Sequence, residues 1–327
     1  MLASVIIPAY NAQTTLACCL SALRRQTLTP EEYEIIVVDD ASSDGSAEVA
    51  RAFGATVITQ TVRQGPAAAR NAGAAHARGN VLLFLDADCE PAPDWCAEML
   101  RPLTDPTVCG VYGAYRTCQT ECIARFAQAE FEERYARLAQ RKDIDFIATH
   151  AAAIRRDVFL AQGGFRPSMW GNEDVELAFR LSRNGYKLVF VPNAIVYHEH
   201  SSTLWSYLQT KVSRGYWRTL AYARHPPKAL SDAYTPPWLK LQVAGLVALS
   251  IATAGSVWRP SLLPLTLSLL AALLLTTVPF TRFVQRTQPG LVWVAPWLSL
   301  LRSAALALGV CAGLITLPIN LLARSKR

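Results

Sequence analysis

The segment VLLFLDADCEP, residues 81 to 91, ends an apolar run in two carboxylates, Asp86 and Asp88, with one small residue between them. Side chains at i and i+2 of a strand share a face, so both acids project to the same side of the strand end. Such a pair suits a divalent cation such as Mg²⁺, which takes one or two protein carboxylates and completes its shell with water and substrate phosphates. Taken alone, the pattern is more often that of a solvated acidic turn. Three further groups carry chemistry. Asp39 and Asp40 follow the run EIIVV and also read as a cap and turn leading into SSDGS. Glu173 and Asp174 open GNEDVELAFRLSRNGY, where the dipole of a starting helix favours acids whatever else they do. His198 and His200 close VPNAIVYHEH, and neutral imidazole suits Mn²⁺-type ions. Period 2 places both histidines on one side, and a packing or surface role is open to either.

The elements that position these groups follow from the apolar pattern of the first 205 residues. SVIIPAY, EIIVVDD, ATVIT and VLLFLDAD read as strands, separated by helical patterns through Leu16, Leu20 and Leu23, from about Ser46, and over Ala67 to Arg78. Such alternation predicts an α/β fold with a mostly parallel sheet and helices on its faces. Ligands of such sheets sit beyond the carboxyl ends of the strands. There the chain keeps Pro8 to Asn11, Asp39 and Asp40, and Asp86 and Asp88. GNEDVELAFRLSRNGY predicts a helix with Val175, Ala178, Phe179 and Leu181 on its apolar face and Gly185 as its stop.

Charge divides the chain. From Ser206 to Arg327 there are 13 Lys and Arg against the single acid Asp232, whereas residues 1–205 carry 19 basic and 24 acidic side chains. A basic, aromatic and apolar C-terminal third points to a membrane surface, and no dense Lys/Arg run or aromatic platform points to nucleic acid. The stretches 239–258, 261–280 and 291–322 are each at least about the 20 residues a helix needs to cross a bilayer. Arg259-Pro260 separates the first two, and Arg302 interrupts the third, which reads as an interfacial helix up to Arg302 plus one span, or else as a shallow or re-entrant segment that keeps the basic tail inside. Gly309 and Gly313 have the small-xxx-small spacing of close helix contact. The basic loop with Arg282 and Arg286 and the Lys211 to Lys240 region place the same side inward, and residues 206–238 read as an amphipathic interfacial segment. Met1 to Tyr10 lacks the basic and apolar regions of a secretory signal, and the eight cysteines show no C-x₂-C pair and read as reduced thiols. The expected location is the cytoplasmic membrane, multi-pass, with residues 1–205 on the cytoplasmic side.

SVIIPAYNAQTTLACCL, IIVVDDASSDGS, QGPAAARNAGAAHARG, VLLFLDADCEP and GGFRPSMWGNEDVELAFRL, in this order over about 200 residues, resemble the family 2 glycosyltransferases. The resemblance implies the GT-A fold, a Rossmann-like nucleotide-diphospho-sugar transferase domain, and inverting transfer assisted by Mg²⁺ or Mn²⁺. It implies a nucleotide-binding set of Pro8, Ala9, Tyr10, Asn11, Asp40, Arg70 and Asp86. In it Pro8, Tyr10 and Asp40 frame the base, Arg70 lies near the nucleotide, where a guanidinium suits phosphate recognition, and Asp86 lies near the ribose. An ordinary salt bridge is the other reading of Arg70. The metal falls to Asp88, with His198 as a further ligand. Asp174 is implied as the general base and Glu173 as its neighbour or an acceptor ligand. His150 departs from the small or amide residue expected before AAAIRRDVF.

The expected partners are therefore a UDP- or GDP-sugar, a hydroxyl acceptor expected to be lipid-linked, and the membrane, with no nucleic acid. QTKVSRGYW, residues 209–217, lacks the Q-x-x-R-W of processive polysaccharide synthases, which favours transfer of a single sugar. The alternatives are a polyprenyl-phosphate sugar synthase, whose phosphate acceptor needs little base help, and a membrane-anchored nucleotide-sugar binding module without turnover.

Overall fold

The structure, a computed structural model, describes residues 2–322. The chain forms two compact units, one of Met1–Cys118 with Tyr135–Glu199, the other of Gln119–Arg134 with His200–Arg327. Residues 119–134, read from the sequence as part of a continuous first domain, thus group with the C-terminal unit.

The first unit is built on strands β1 (Ala3–Ala9), β2 (Tyr33–Asp39), β3 (Thr56–Thr59), β4 (Val81–Phe84), β5 (Glu90–Pro91), β6 (Val108–Arg116), β7 (Ala152–Arg155) and β8 (Lys187–Tyr197). They form one sheet in the order β3-β2-β1-β4-β7-β6-β8-β5. The first four run parallel, as helical crossovers require. Between them lie α1 (Gln13–Leu23), α2 (Ser46–Ala52) and α3 (Pro66–His76); α4 (Trp95–Leu100), α5 (Cys122–Leu138), α6 (Arg156–Ala161) and α7 (Glu173–Arg183) follow, with α5 up to Arg134 belonging to the second unit. Every side chain of β1 except the half-buried Pro8 is buried, which is why the strand reads as a continuous apolar run. β7 runs antiparallel between β4 and β6, and β5 antiparallel to β8. Neither strand was legible, because AAIR and EP are too short and carry no alternation.

Close backbone approach fixes α3 on the sheet. A Cβ added at Gly73 would lie 2.5 Å from Ile6 Cγ2, so glycine there lets the helix settle on β1. Helix α7 follows the expected pattern, with Val175, Leu177, Ala178, Phe179 and Leu181 buried and Gly185 at φ 80° behind it. The buried Glu176 also lies on this helix, held by Arg166 at 3.0 Å and Arg180 at 2.8 Å.

In the second unit α8 (Leu204–Arg224), α9 (Pro226–Leu230), α10 (Pro237–Trp258), α11 (Leu263–Thr276), α12 (Val278–Thr287) and α13 (Ala295–Leu322) follow in turn. Among the described residues, three helical stretches, Pro237–Trp258, Pro260–Thr287 and Ala295–Leu317, are long and apolar enough to cross a membrane. The Gly309 and Gly313 pair is the seam on which α13 meets α8: a Cβ at Gly309 would lie 2.0 Å from Val212 O, and one at Gly313 2.8 Å from Thr219 Cβ. Gly215 answers from α8, with its added Cβ 2.4 Å from Leu306 O. Arg302, the ionisable residue inside the third apolar stretch, is buried against Glu130 at 2.8 Å, and Lys211 reaches the same carboxylate at 2.6 Å. Gln242 of α10 accepts from Arg302 at 3.3 Å and from the Ser303 hydroxyl at 2.7 Å. A charge that hydrocarbon would not tolerate is thereby paired inside protein.

Two outcomes are expected. Gly309→Leu forces α13 off α8 and lowers stability by at least about 1–3 kcal/mol, read as a fall in the melting temperature of the detergent-solubilised chain. Burial works to raise the Glu130 carboxyl, but Lys211 and Arg302 outweigh it and hold it down to about 2, below its ordinary 4.5. The unfolded chain therefore binds the proton first as pH falls, so stability present above pH 4.5 is lost between there and about pH 2. Melting curves of Glu130→Gln should lack that component of the acid transition.

Candidate functional site

The carboxyl ends of β1, β2 and β4 open on a cavity of about 480 Å³, within the range of small-molecule sites. Its wall contains Pro8, Ala9, Tyr10, Asn11, Asp40, Arg70, Asp86 and Asp88, and adds Thr15, Arg63 and Pro66, which the sequence reading did not single out. The backbone at the rim is strained: Asn11 and Ala41, one just beyond β1 and one just beyond β2, sit in the left-handed region at φ 50° and 61°. Asn11 is tied across this gap, its N–H donating to Ser42 Oγ at 3.0 Å and its Oδ1 accepting the Ser43 N–H at 2.9 Å.

Asp39 and Asp40 have separate duties. Asp39 accepts the Ser42 N–H at 3.2 Å and closes the turn after β2. Asp40 is buried, and its two oxygens accept the backbone N–H groups of Gln64 and Gly65, each at 2.7 Å. It thus anchors the loop that feeds α3. Each carboxylate oxygen has a second lone pair, so this anchoring is compatible with contact to a base. Gly65 holds φ at 90°, where a Cβ would lie 3.2 Å from the Trp170 ring. Beside it the Arg63 guanidinium lies 3.8 Å from the centroid of the Tyr10 ring. An exposed arginine in QTVRQGP gives no sequence sign of such a stack.

Arg70 is buried and holds Asp86 at 2.5 Å and Glu173 at 2.7 Å. It therefore joins α3, the end of β4 and the start of α7, and the salt-bridge reading of this residue describes its geometry. Its Nε is buried with no hydrogen-bond partner among the described residues. One guanidinium faces more negative charge than it can neutralise: burial pushes the Glu173 carboxyl up to about 7, with Asp174 and Asp86 adding to the rise and Arg70 opposing it. Asp174 is half-buried; its oxygens accept the Val175 N–H at 2.7 Å and the Thr149 N–H at 3.4 Å.

Asp88 meets His198 Nδ1 at 3.6 Å. His198 follows the last residue of β8 and donates its N–H to Arg116 O at 3.0 Å. The strand pattern stops there, so period 2 does not carry on to His200, whose ring instead bonds Gln128 within the second unit at 2.9 Å. Tyr115 stacks on His198 at 4.8 Å and on His150 at 3.4 Å, which gives His150 a packing role behind the site. Desolvation raises the Asp88 carboxyl, Asp86 raises it further, and His198 opposes them. The ligating atoms of Asp88, Cys89 and His198 lie within 4.8 Å of one another. Burial and the two aspartates push the Cys89 thiol far up, so it stays a neutral donor, to Asp88 at 3.6 Å and to the Tyr115 hydroxyl at 3.8 Å. The remaining carboxylate and imidazole fit a hard divalent cation such as Mg²⁺ or Mn²⁺.

Residues 4–161 match the model of glycosyl transferase family 2. The chain is 31% identical over 206 residues to the glycosyltransferase AglE of Haloferax volcanii, covering 60% of this chain and 66% of that protein. It is 27% identical over 253 residues to the pre-mycofactocin glycosyltransferase of Mycobacterium tuberculosis, covering 73% of this chain and 52% of the relative. It thus spans between about half and two thirds of these relatives' length. Among solved structures, it shares its fold with the mannosyltransferase PcManGT from Pyrobaculum calidifontis, in complex with GDP-Man and Mn²⁺. That match has a TM-score of 0.64 at 22% identity and covers 95% of this chain and 86% of the other.

The Glu173 carboxyl has a measurable consequence. With its folded value about 7 above its ordinary 4.5, the folded chain holds more protons than the unfolded chain in that window. Stability therefore falls as pH rises from 4.5 to 7, at up to about 1.4 kcal/mol per pH unit, and Glu173→Gln should remove this slope in denaturation measured at fixed pH steps.

Proposed function

Because the chain belongs to glycosyltransferase family 2, with a GT-A fold and C-terminal apolar helices, we propose that it moves one sugar from a nucleotide-diphosphate donor to a hydroxyl acceptor with inversion at the anomeric carbon. The observation that carries this reading is the convergence of Pro8 to Asn11, Asp40, Arg70, Asp86 and Asp88 on one cavity at the carboxyl ends of three parallel strands. A UDP- or GDP-sugar lies there with its base against Tyr10 and Asp40 and its ribose toward Asp86. Asp88 and His198 would hold a Mg²⁺ or Mn²⁺ ion, which would supply charge neutralisation for the departing nucleoside diphosphate.

Arg70 keeps Asp86 and Glu173 in register from a buried position, and its Nε is a donor left over for the nucleotide. Asp174, less buried than Glu173, takes the acceptor hydroxyl proton on a carboxylate oxygen as that hydroxyl oxygen attacks the face opposite the diphosphate. The Thr149 and Val175 N–H groups fix the carboxylate for this task. The apolar helices bring the transferase to the cytoplasmic face of a membrane, where a lipid-linked acceptor is the fitting partner.

Asp174→Asn should lower transfer by about 10²–10⁴-fold while nucleotide binding by calorimetry stays intact. Asp88→Ala should abolish the metal-dependent part of that binding. Undiminished turnover in Asp174→Asn would overturn the hydroxyl-acceptor mechanism and favour a phosphate acceptor. No binding of UDP, GDP, CDP or dTDP to the folded chain would overturn the transferase reading as a whole.

A further inference from the structure

Helices α8 and α13 lie side by side and run in the same direction. Tyr207 shares a core with Leu298, Lys211 meets Arg302 across Glu130, Gly215 faces Leu306, and Thr219 faces Gly313. One side of α13 is therefore covered by α8 from Leu298 to Gly313. α8 is not a helix that hydrocarbon accepts. It carries Lys211, Arg214, Arg218 and Arg224 with no acid, and its Ser206, Gln209, Thr210 and Ser213 are exposed. Near its end the Tyr222 hydroxyl donates to Asp232 at 2.6 Å, and Asp232 also takes Lys240 at 3.0 Å. A crossing by α13 would draw this polar flank through the membrane core, where ionisable side chains are least tolerated.

The other side of α13 is apolar and open. Trp297, Leu301, Leu308 and Ile315 are exposed, and at about 100° per residue they fall within about 40° of one another round the helix. Ser299, Arg302 and Ser303 are buried on the opposite side. One apolar stripe over a polar, protein-covered back is the pattern of a helix lying in an interface. The α10–α11 hairpin contrasts with it. Along α10 the buried residues are Gln242 and Ala252. Its close contacts past Gln242 come from the hairpin itself, Gly245 on Leu273 and the Ser256 hydroxyl on that of Thr266 at 2.8 Å. The exposed Leu241, Val247, Ile251 and Val257 are spread round the helix, as lipid on several sides requires.

We propose that α13 does not cross the bilayer but lies with α8 along one surface of it, the stripe of Trp297, Leu301, Leu308 and Ile315 set into the acyl chains of one leaflet, while α10 and α11 form the crossing hairpin. Lipid is the fitting occupant because the stripe belongs to the same unit as that hairpin, starts at a tryptophan, and runs beside a basic helix suited to headgroup phosphates. The inference rests on the reading of the chain as membrane-bound and goes beyond the transferase reading: it gives the protein two crossings and a platform on one leaflet.

The test uses the full chain in liposomes of mixed zwitterionic and anionic phospholipid, with the exposed Cys18, Cys118, Cys122 and Cys311 replaced by serine. Nitroxide labels at Trp297→Cys, Leu301→Cys, Leu308→Cys and Ile315→Cys report depth through relaxation by oxygen and by a water-soluble nickel chelate. A crossing helix would separate the first and last labels by about 27 Å in depth, at 1.5 Å per residue. The proposal expects all four within about 5 Å of one another, just below the headgroups. Labels at Leu241→Cys, Ile251→Cys and Val257→Cys should instead run from one interface past the midplane, over about 24 Å. Depth that changes steadily along α13 overturns the proposal. So does a stripe that neither relaxant reaches and whose labels broaden one another's spectra across molecules, because a second copy of the chain then covers it. Equal shallow depth along α10 overturns it too, by removing the crossing hairpin. Metal-dependent nucleotide binding of each labelled sample should stay unchanged, which checks the fold and reports separately on the transferase reading. Should the serine background fail to fold, photolabelling of the unaltered chain decides: a diazirine at the bilayer midplane should modify α10 and α11 and spare the middle of α13.

Discussion

The buried guanidinium of Arg70 is the constraint on which the cavity depends. A charge so deeply placed must be paired, and its partners, Asp86 and Glu173, come from the end of β4 and the first turn of α7. Three elements far apart in sequence are thereby held at one point. The same contact sets the electrostatics. With Asp174 and Asp86 nearby, one cation does not satisfy every carboxylate, and Glu173 is held as a carboxyl that titrates near neutrality. An excess of carboxylates that is costly in isolation is what a divalent cation would offset.

Around this pair the cavity is shaped by backbone more than by side-chain bulk. Asn11 and Ala41 take left-handed conformations at the ends of β1 and β2, and Asp40 holds the Gln64–Gly65 amides that lead into α3. Behind Asp88, the rings of His198, Tyr115 and His150 stack in series. Such a stack restricts an imidazole to one orientation, the kind of support a ligating histidine needs. Cys89, kept neutral by burial and by the adjacent aspartates, contributes a hydrogen bond where a thiolate would have selected a softer metal.

The C-terminal unit solves a related problem with the signs exchanged. Arg302 lies within an apolar helix, and Glu130 from α5 meets it together with Lys211 from α8, while Gln242 completes the set from α10. Close approach of α8 and α13 over Gly215, Gly309 and Gly313 leaves no room for side chains, so the helices interlock by backbone contact and the charges sit in a fixed frame.

Period and spacing alone determined a good deal: the parallel first half of the sheet, the strand ends as the place of the acids, helix α7 with its stop at Gly185, and apolar stretches of membrane-crossing length. These follow from local chemistry, because a buried parallel strand must be apolar throughout and a helix face repeats every three or four residues. The antiparallel β7 was hidden in AAIR, whose direction is set by its neighbours. That Arg70 is shared between Asp86 and Glu173 was decided only by tertiary structure, since 16 and 103 residues separate the partners. So was the separation of His198 from His200, because a strand must end somewhere and only its pairing says where. Gly309 and Gly313 carried a spacing that many helices share, and it gained meaning when α8 supplied the facing backbone. Sequence records which groups a chain owns and which local shapes they prefer; burial and distance, which fix charge states and partners, arise only when distant segments meet.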